Sequence, residues 1–79
     1  MKEFIVKFTN TNDIVIFTKI ADEFKENIDV RSHDNHYVVD AKSIMGLFSL
    51  DLSKPVIVYI EDDEVARKFK ERVKKYVVY

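Results

Sequence analysis

The chain has 79 residues, of which 47% are hydrophobic and 34% are charged, and its formal net charge is −1. This length fits one small globular domain near the lower limit for folding on a single core, and we expect that domain to span residues 1–79. The absence of cysteine excludes a disulfide scaffold, a thiolate metal site and a cysteine nucleophile. The near-neutral charge gives no sign of a nucleic-acid or membrane partner.

The N-terminal stretch MKEFIVKF begins with a lysine and a glutamate and continues as a short run that ends at a second lysine, unlike a signal peptide. No apolar run in the chain approaches the length of a membrane span. A cytoplasmic protein is therefore the default expectation. Within residues 2–8, apolar side chains recur at every second position, which predicts a strand with one face on the core.

The next segment predicts an amphipathic helix over roughly residues 13–27, because apolar side chains recur there at intervals of three and four residues. Either Asn12 or Asp13 is expected to cap its N-terminus. The residues on the predicted buried face are Ile14, Phe17, Ala21, Phe24 and Ile28.

Two short strands, at 28–32 and 36–40, are predicted to form a hairpin, since Asp34 and Asn35 between them favour a tight turn. A β-branched and aromatic run at 55–60 predicts another strand, with Pro55 as its first residue. Residues 61–79 predict a closing helix whose first turn is acidic and whose later turns are basic, as the helix dipole favours. Its predicted buried stripe consists of Val65, Phe69, Val73 and Tyr76.

The segment DAKSIMGLFSLDL at 40–52 predicts a short helix with Ser43 as its N-cap. One and a half turns cannot bury every apolar residue of this segment, because they encircle the helix. We expect Leu47 and Leu50 to face the core, and the only glycine, Gly46, to allow close packing or a bend. The order β-α-β-β-α-β-α indicates the α+β class: a two-layer open-faced sandwich with the helices on one face of an antiparallel sheet.

No catalytic residue, metal ligand or cofactor is expected. The two histidines, His33 and His36, flank one predicted hairpin turn, where such side chains are commonly solvated. The acidic run at 61–64 opens a helix, and the dipole explains it. A single glycine cannot form a phosphate-binding glycine loop.

An interaction surface is a better lead than catalysis, because the two helices leave apolar residues outside the core. Clusters of exposed apolar side chains usually mark partner sites, although small proteins also expose some apolar surface without function. The predicted partner-binding residues are Val15, Ile16, Ile44, Met45 and Phe48.

Nine consecutive residues, Lys42 to Leu50, match the pattern Lys-Ser-Ile-Met-Gly-hydrophobic-hydrophobic-Ser-Leu of a known family. The chain resembles the histidine-containing phosphocarrier HPr of the bacterial sugar phosphotransferase system and its regulatory relative, catabolite-repression HPr. This resemblance covers the whole chain and implies a four-stranded antiparallel sheet of order 1-4-2-3. It also implies Ser43 as a regulatory phosphorylation site for HPr kinase, and a LacI-type regulator as a further partner.

The resemblance fails at the phosphotransfer site. The family has Gly-Ile-His-Ala-Arg-Pro-Ala at the start of the first helix, where this chain has TNTNDIVIFTK. The histidine position falls on Asn12 or Val15, and the supporting arginine is also missing. Relay of a phosphoryl group from Enzyme I through histidine is therefore not expected.

Three hypotheses remain open from the sequence. The first is a regulatory protein-binding module of the HPr type with Ser43 as its switch. The second is a structural domain that associates with itself, as a homodimer, or with an unrelated protein through an apolar rim (Val15, Ile16 and Phe48). The third and least favoured is a phosphocarrier that uses a non-standard residue.

Overall fold

A computed structural model describes residues 1–79 as a four-stranded antiparallel sheet and three α-helices. The strands lie in the order β1-β4-β2-β3, so the predicted α+β class and the 1-4-2-3 order are confirmed. None of the helices has the length and apolar character that a membrane crossing requires. The elements are β1 (Glu3–Val6), α1 (Thr11–Asp22), β2 (Asp29–Arg31), β3 (Val38–Asp40), α2 (Ile44–Phe48), β4 (Val56–Tyr59) and α3 (Asp63–Arg72), followed by a 3-10 turn at Lys74–Tyr76.

The period-two pattern of the strands produces the two faces of the sheet. Phe4 pairs with Val58 across β1 and β4, and Val30 pairs with Val58 across β2 and β4. All three side chains are buried, whereas their neighbours Ile5 and Ile57 are only partly covered. The helices therefore cover one face of the sheet, and the other face is open.

Helix α1 begins and ends earlier than predicted. Its N-cap is Asn10, whose side-chain oxygen accepts a hydrogen bond from the Asp13 amide at 3.0 Å. Neither Asn12 nor Asp13 is the cap, which corrects the sequence prediction. The helix ends at Asp22, and Phe24 packs against the core from the loop that follows. A helix continued to residue 27 would extend roughly 7 Å further, well past the ends of strands only four residues long.

The C-terminal residues are not helical, which also corrects the prediction. Helix α3 ends at Arg72, and Val77 forms an antiparallel bridge with Val6 of β1. The Val78 amide donates to the Ile5 carbonyl at 2.8 Å, and the Ile5 amide donates to the Tyr79 carbonyl at 3.0 Å. The segment Val77–Tyr79 thus supplies hydrogen-bond partners that the outer edge of β1 would otherwise lack. Phe69, Val73 and Tyr76 are buried as predicted, but Val65 is only partly buried and Ala66 is fully buried.

Aromatic rings form the centre of the core. The Phe69 ring lies 5.3 Å from that of Phe17 and 5.4 Å from that of Phe24, both edge to face, and 6.3 Å from that of Phe4. The Phe8 ring contacts Phe17 at 5.0 Å. This cluster joins β1, α1 and α3, and each such ring pair adds about 0.5–1.5 kcal/mol beyond burial.

Replacement of Phe69 by Ala is expected to lower the free energy of unfolding by about 3–5 kcal/mol, because it leaves a cavity among three rings. Chemical denaturation measures this change. Phe48→Ala is the matched control, since Phe48 is 47% exposed and the same truncation there should cost less than about 1 kcal/mol. Equal losses in the two variants would contradict the central position of Phe69.

The start of α1 predicts a dependence of stability on acid pH. The Asp13 carboxylate accepts hydrogen bonds from the Thr9 hydroxyl at 2.7 Å and the Thr9 amide at 3.2 Å. These two bonds hold the pKa of Asp13 below its ordinary value, and the bond from the hydroxyl contributes most. A lowered pKa in the folded state means that the carboxylate stabilises the fold above about pH 4, and that this contribution is lost as the pH falls through the folded-state pKa.

Asp13→Asn is therefore expected to lower the Tm at pH 7, with a difference from the wild type that shrinks as the pH falls below about 4. Thermal melts across this pH range measure it. Asp22→Asn serves as control, because Asp22 lies on the last turn of the same helix. A Tm difference at position 13 that does not change with pH would show that the charge of Asp13 is not the cause of the effect.

Candidate functional site

The short helix α2 begins as the sequence predicts. The Ser43 hydroxyl oxygen accepts a hydrogen bond from the Gly46 amide at 3.0 Å, which makes Ser43 the N-cap. At the other end, the Ser49 hydroxyl donates to the Gly46 carbonyl at 2.6 Å. Two serines thus satisfy backbone groups of a five-residue helix that has few internal hydrogen bonds of its own.

Helix α2 divides its apolar side chains between the core and the solvent. Leu47 is fully buried and Leu50 is 8% exposed. Met45 is 82% exposed, Phe48 47% and Ile44 37%. The predicted division into inward and outward residues is confirmed, and α2 presents three adjacent apolar side chains to the solvent; we call these three the α2 patch.

Gly46 is favoured by close packing, which is one of the two reasons expected from the sequence. A Cβ atom at this position would lie 3.1 Å from the Ser43 hydroxyl oxygen and 3.2 Å from the Cβ of Val39. Its φ is not positive, so the turn itself does not demand glycine. The glycine lets α2 sit directly against β3, with the capping serine beside it.

The start of α1 carries no imidazole. Of the two positions onto which the family histidine falls, Asn12 is exposed and Val15 is partly buried. Ile16 is also partly buried, so Val15 and Ile16 contribute less open apolar surface than the α2 patch. Helices α1 and α2 pack against each other, which places these residues on neighbouring elements.

The two histidines lie in the β2–β3 loop and not in α1. Both are exposed, and the His36 Nδ1 lies 3.4 Å from the Asp34 carboxylate. The Ser32 hydroxyl donates to Asp34 at 2.6 Å, and this bond is the main reason that the pKa of Asp34 is lowered. Asn35 adopts a positive φ of 65°, as an Asn in a tight turn readily does. These contacts account for the conformation of the loop without any ligand.

The acidic run at 61–64 is also satisfied by contacts within the protein. Asp62 caps α3 by accepting from the amides of Glu64 and Val65 at 2.9 and 3.1 Å. Asp63 pairs with the N-terminal amine at 2.8 Å. Glu61 accepts from the Tyr59 hydroxyl and from Lys2, which together lower the pKa of Glu61. No group of three or more His, Cys, Asp or Glu side chains is placed to hold a metal ion.

Sequence reasoning missed two exposed apolar residues on the hairpin. Tyr37 is 66% exposed and Val38 is 56% exposed. The run HYVVD predicted a strand, and the implied order 1-4-2-3 placed that strand at an edge, but neither shows how far Tyr37 and Val38 are exposed.

A family model and two solved structures all place this chain beside the same family. The family model described as "PTS HPr component phosphorylation site" matches residues 12–77. HPr-C-His from Thermoanaerobacter tengcongensis is similar in structure, with a TM-score of 0.72 and 30% identity over 95% of this chain and 92% of that one. The phosphocarrier protein HPr from Bacillus anthracis str. Ames has a TM-score of 0.73 at 23% identity, over 95% and 94% of the two chains.

A comparison with curated proteins found no match. The family model spans most of the length, and the solved structure at 30% identity covers nearly all of it. The fold, the strand order and the sequence match therefore agree, and this chain belongs to the HPr family of the phosphotransferase system.

Proposed function

We propose that this protein is a regulatory protein-binding module of the HPr type, acting in the cytoplasm, which does not relay phosphate through histidine. The observation that carries the proposal is the α2 patch: Met45 is 82% exposed on a helix anchored by the buried Leu47. A flexible methionine beside an aromatic ring suits adaptable contacts with a protein partner. No imidazole lies at the start of α1 to carry a phosphoryl group.

Ser43 is the proposed switch of this module. Its side chain lies at the N-terminal end of the α2 patch and is exposed, so a kinase can reach it. Phosphorylation would add about 1.5–2 negative charges next to Ile44 and Met45. The oxygen that caps Gly46 would be kept as an ester oxygen, and the main effect would fall on the surface that a partner contacts.

Incubation with HPr kinase and a phosphate donor is expected to add one phosphate group, and Ser43→Ala to abolish this addition. Mass spectrometry measures the product. Ser49→Ala is the matched control, because Ser49 lies in the same segment and also bonds to Gly46. Unmodified wild-type protein, or labelling that persists in Ser43→Ala, would remove Ser43 from the proposal.

Incubation with Enzyme I and phosphoenolpyruvate tests whether the protein accepts a phosphoryl group on histidine. We expect no acid-labile phosphate on the protein, since both histidines lie in the β2–β3 loop and not at α1. A phosphohistidine at His33 or His36 would instead establish a phosphocarrier with a non-standard site.

The α2 patch is expected to carry binding energy for the partner that the family resemblance implies, a LacI-type regulator. Met45→Ala should weaken binding of the Ser43-phosphorylated protein by at least about fivefold, since truncation of a central contact residue costs about 1 kcal/mol or more. Isothermal titration calorimetry measures the Kd.

Tyr79→Ala is the matched control for this titration. Tyr79 is also 82% exposed, but it lies beside β1, at the opposite edge of the sheet from β3. Equal affinities for Met45→Ala and the wild type would show that the patch is not the binding surface.

A further inference from the structure

The two edges of the sheet differ in how their backbone groups are hydrogen-bonded. The outer edge of β1 is hydrogen-bonded to Val77–Tyr79, whereas β3 pairs only with β2. A strand edge with free backbone groups is a template for another strand. Natural edge strands are often protected by shortness, charge, proline or a bulge; β3 is short, but its first residue is the apolar Val38, which is 56% exposed.

The pairing with β2 decides which backbone groups of β3 point outward. The Ser32 amide donates to the Tyr37 carbonyl, and the Ala41 amide donates to the Ile28 carbonyl. Because inward and outward residues alternate in an antiparallel ladder, the backbone groups of Tyr37, Val39 and Ala41 face β2, and those of Val38 and Asp40 face away from it.

One of the outward groups is already used. The Asp40 carbonyl accepts from the Ser43 amide at 2.9 Å. The groups left for an added strand are the amide and carbonyl of Val38 and the amide of Asp40. The His36 carbonyl precedes them on the same side of the chain. An occupant must therefore offer two acceptors and one donor opposite Val38 and Asp40.

We propose that the occupant is a second copy of this chain, paired antiparallel through β3 with the two-fold axis at Val38. In this register Val38 bonds to Val38 of the second copy through both of its backbone groups. The Asp40 amide of each copy donates to the His36 carbonyl of the other. All the free outward groups of both strands are satisfied, and the Asp40 carbonyl keeps its bond to Ser43.

The free backbone groups select this register. With the axis at Val38, the side chain of His36 also faces Asp40 of the second copy, a pair that is attractive when His36 is protonated. Moving the axis to Val39 pairs the Val38 amide with the Asp40 carbonyl of the second copy, which already accepts from Ser43. Moving it to Tyr37 places Asp40 opposite Asp34, which lies in the turn and carries the same charge. Only the register at Val38 satisfies every free outward group.

Three-residue strands make a small contact, so the dimer should be weak, with a Kd between micromolar and millimolar. This association differs from one through Val15, Ile16 and Phe48, because it uses the β3 edge. Sedimentation velocity over that concentration range is expected to show a reversible monomer–dimer equilibrium for the wild type.

His36→Glu is expected to weaken the dimer at least about tenfold, because it places like charges opposite each other at both ends of the pair. His33→Glu is the matched control: it makes the same charge change in the same loop, yet His33 has no place in the register, so its Kd should stay within about twofold of the wild type. Val38→Pro should also abolish the dimer, since it removes an outward amide and no bond to β2. Thermal melts check that each variant is folded.

Wild-type protein that stays monomeric up to millimolar concentration would overturn the proposal. So would a His33→Glu variant as weak as His36→Glu, which would indicate a general effect of charge. A dimer that survives both His36→Glu and Val38→Pro would show that association uses another surface.

Discussion

The stability of this chain depends on the ring of Phe69. It stands between β1 and α1, with Phe17 at 5.3 Å and Phe4 at 6.3 Å, and Phe24 reaches it from the loop after α1. A domain of this size buries a smaller share of its surface than larger domains do, and without cysteine it has no disulfide to compensate. Large rings that meet edge to face supply much burial from few residues, and they fix the positions of α1 and α3 over the sheet.

Helix α2 lies outside this aromatic cluster, and its exposure follows from that position. Its anchors are Leu47 and Leu50, and Gly46 allows it to approach β3 closely. A helix of five residues has one buried stripe at most, so its other apolar side chains must face the solvent. The fold thus presents an apolar, serine-capped surface beside a separately packed aromatic core.

Much of the fold could be predicted from the sequence because burial repeats with the period of each element. The Ser43 cap was predictable because serine is a favoured N-cap residue. The outward side chains of α2 were predictable because five apolar residues cannot share one stripe. The ends of α1 and α3 were not. Phe24 continues the helical spacing but is buried from a loop, and Val77 leaves the helix for the edge of β1. Such choices depend on the neighbouring strand, which no local pattern describes.

The pairing of Val77–Tyr79 with β1 has a consequence for the order in which the molecule assembles. Strand β1 has β4 on one side and Val77–Tyr79 on the other, and both of these neighbours lie far from it along the sequence. Contacts so distant in sequence slow folding, because a long loop must close before they contribute. The hairpin of β2 and β3 closes early by comparison, so its apolar edge forms before β1 is paired.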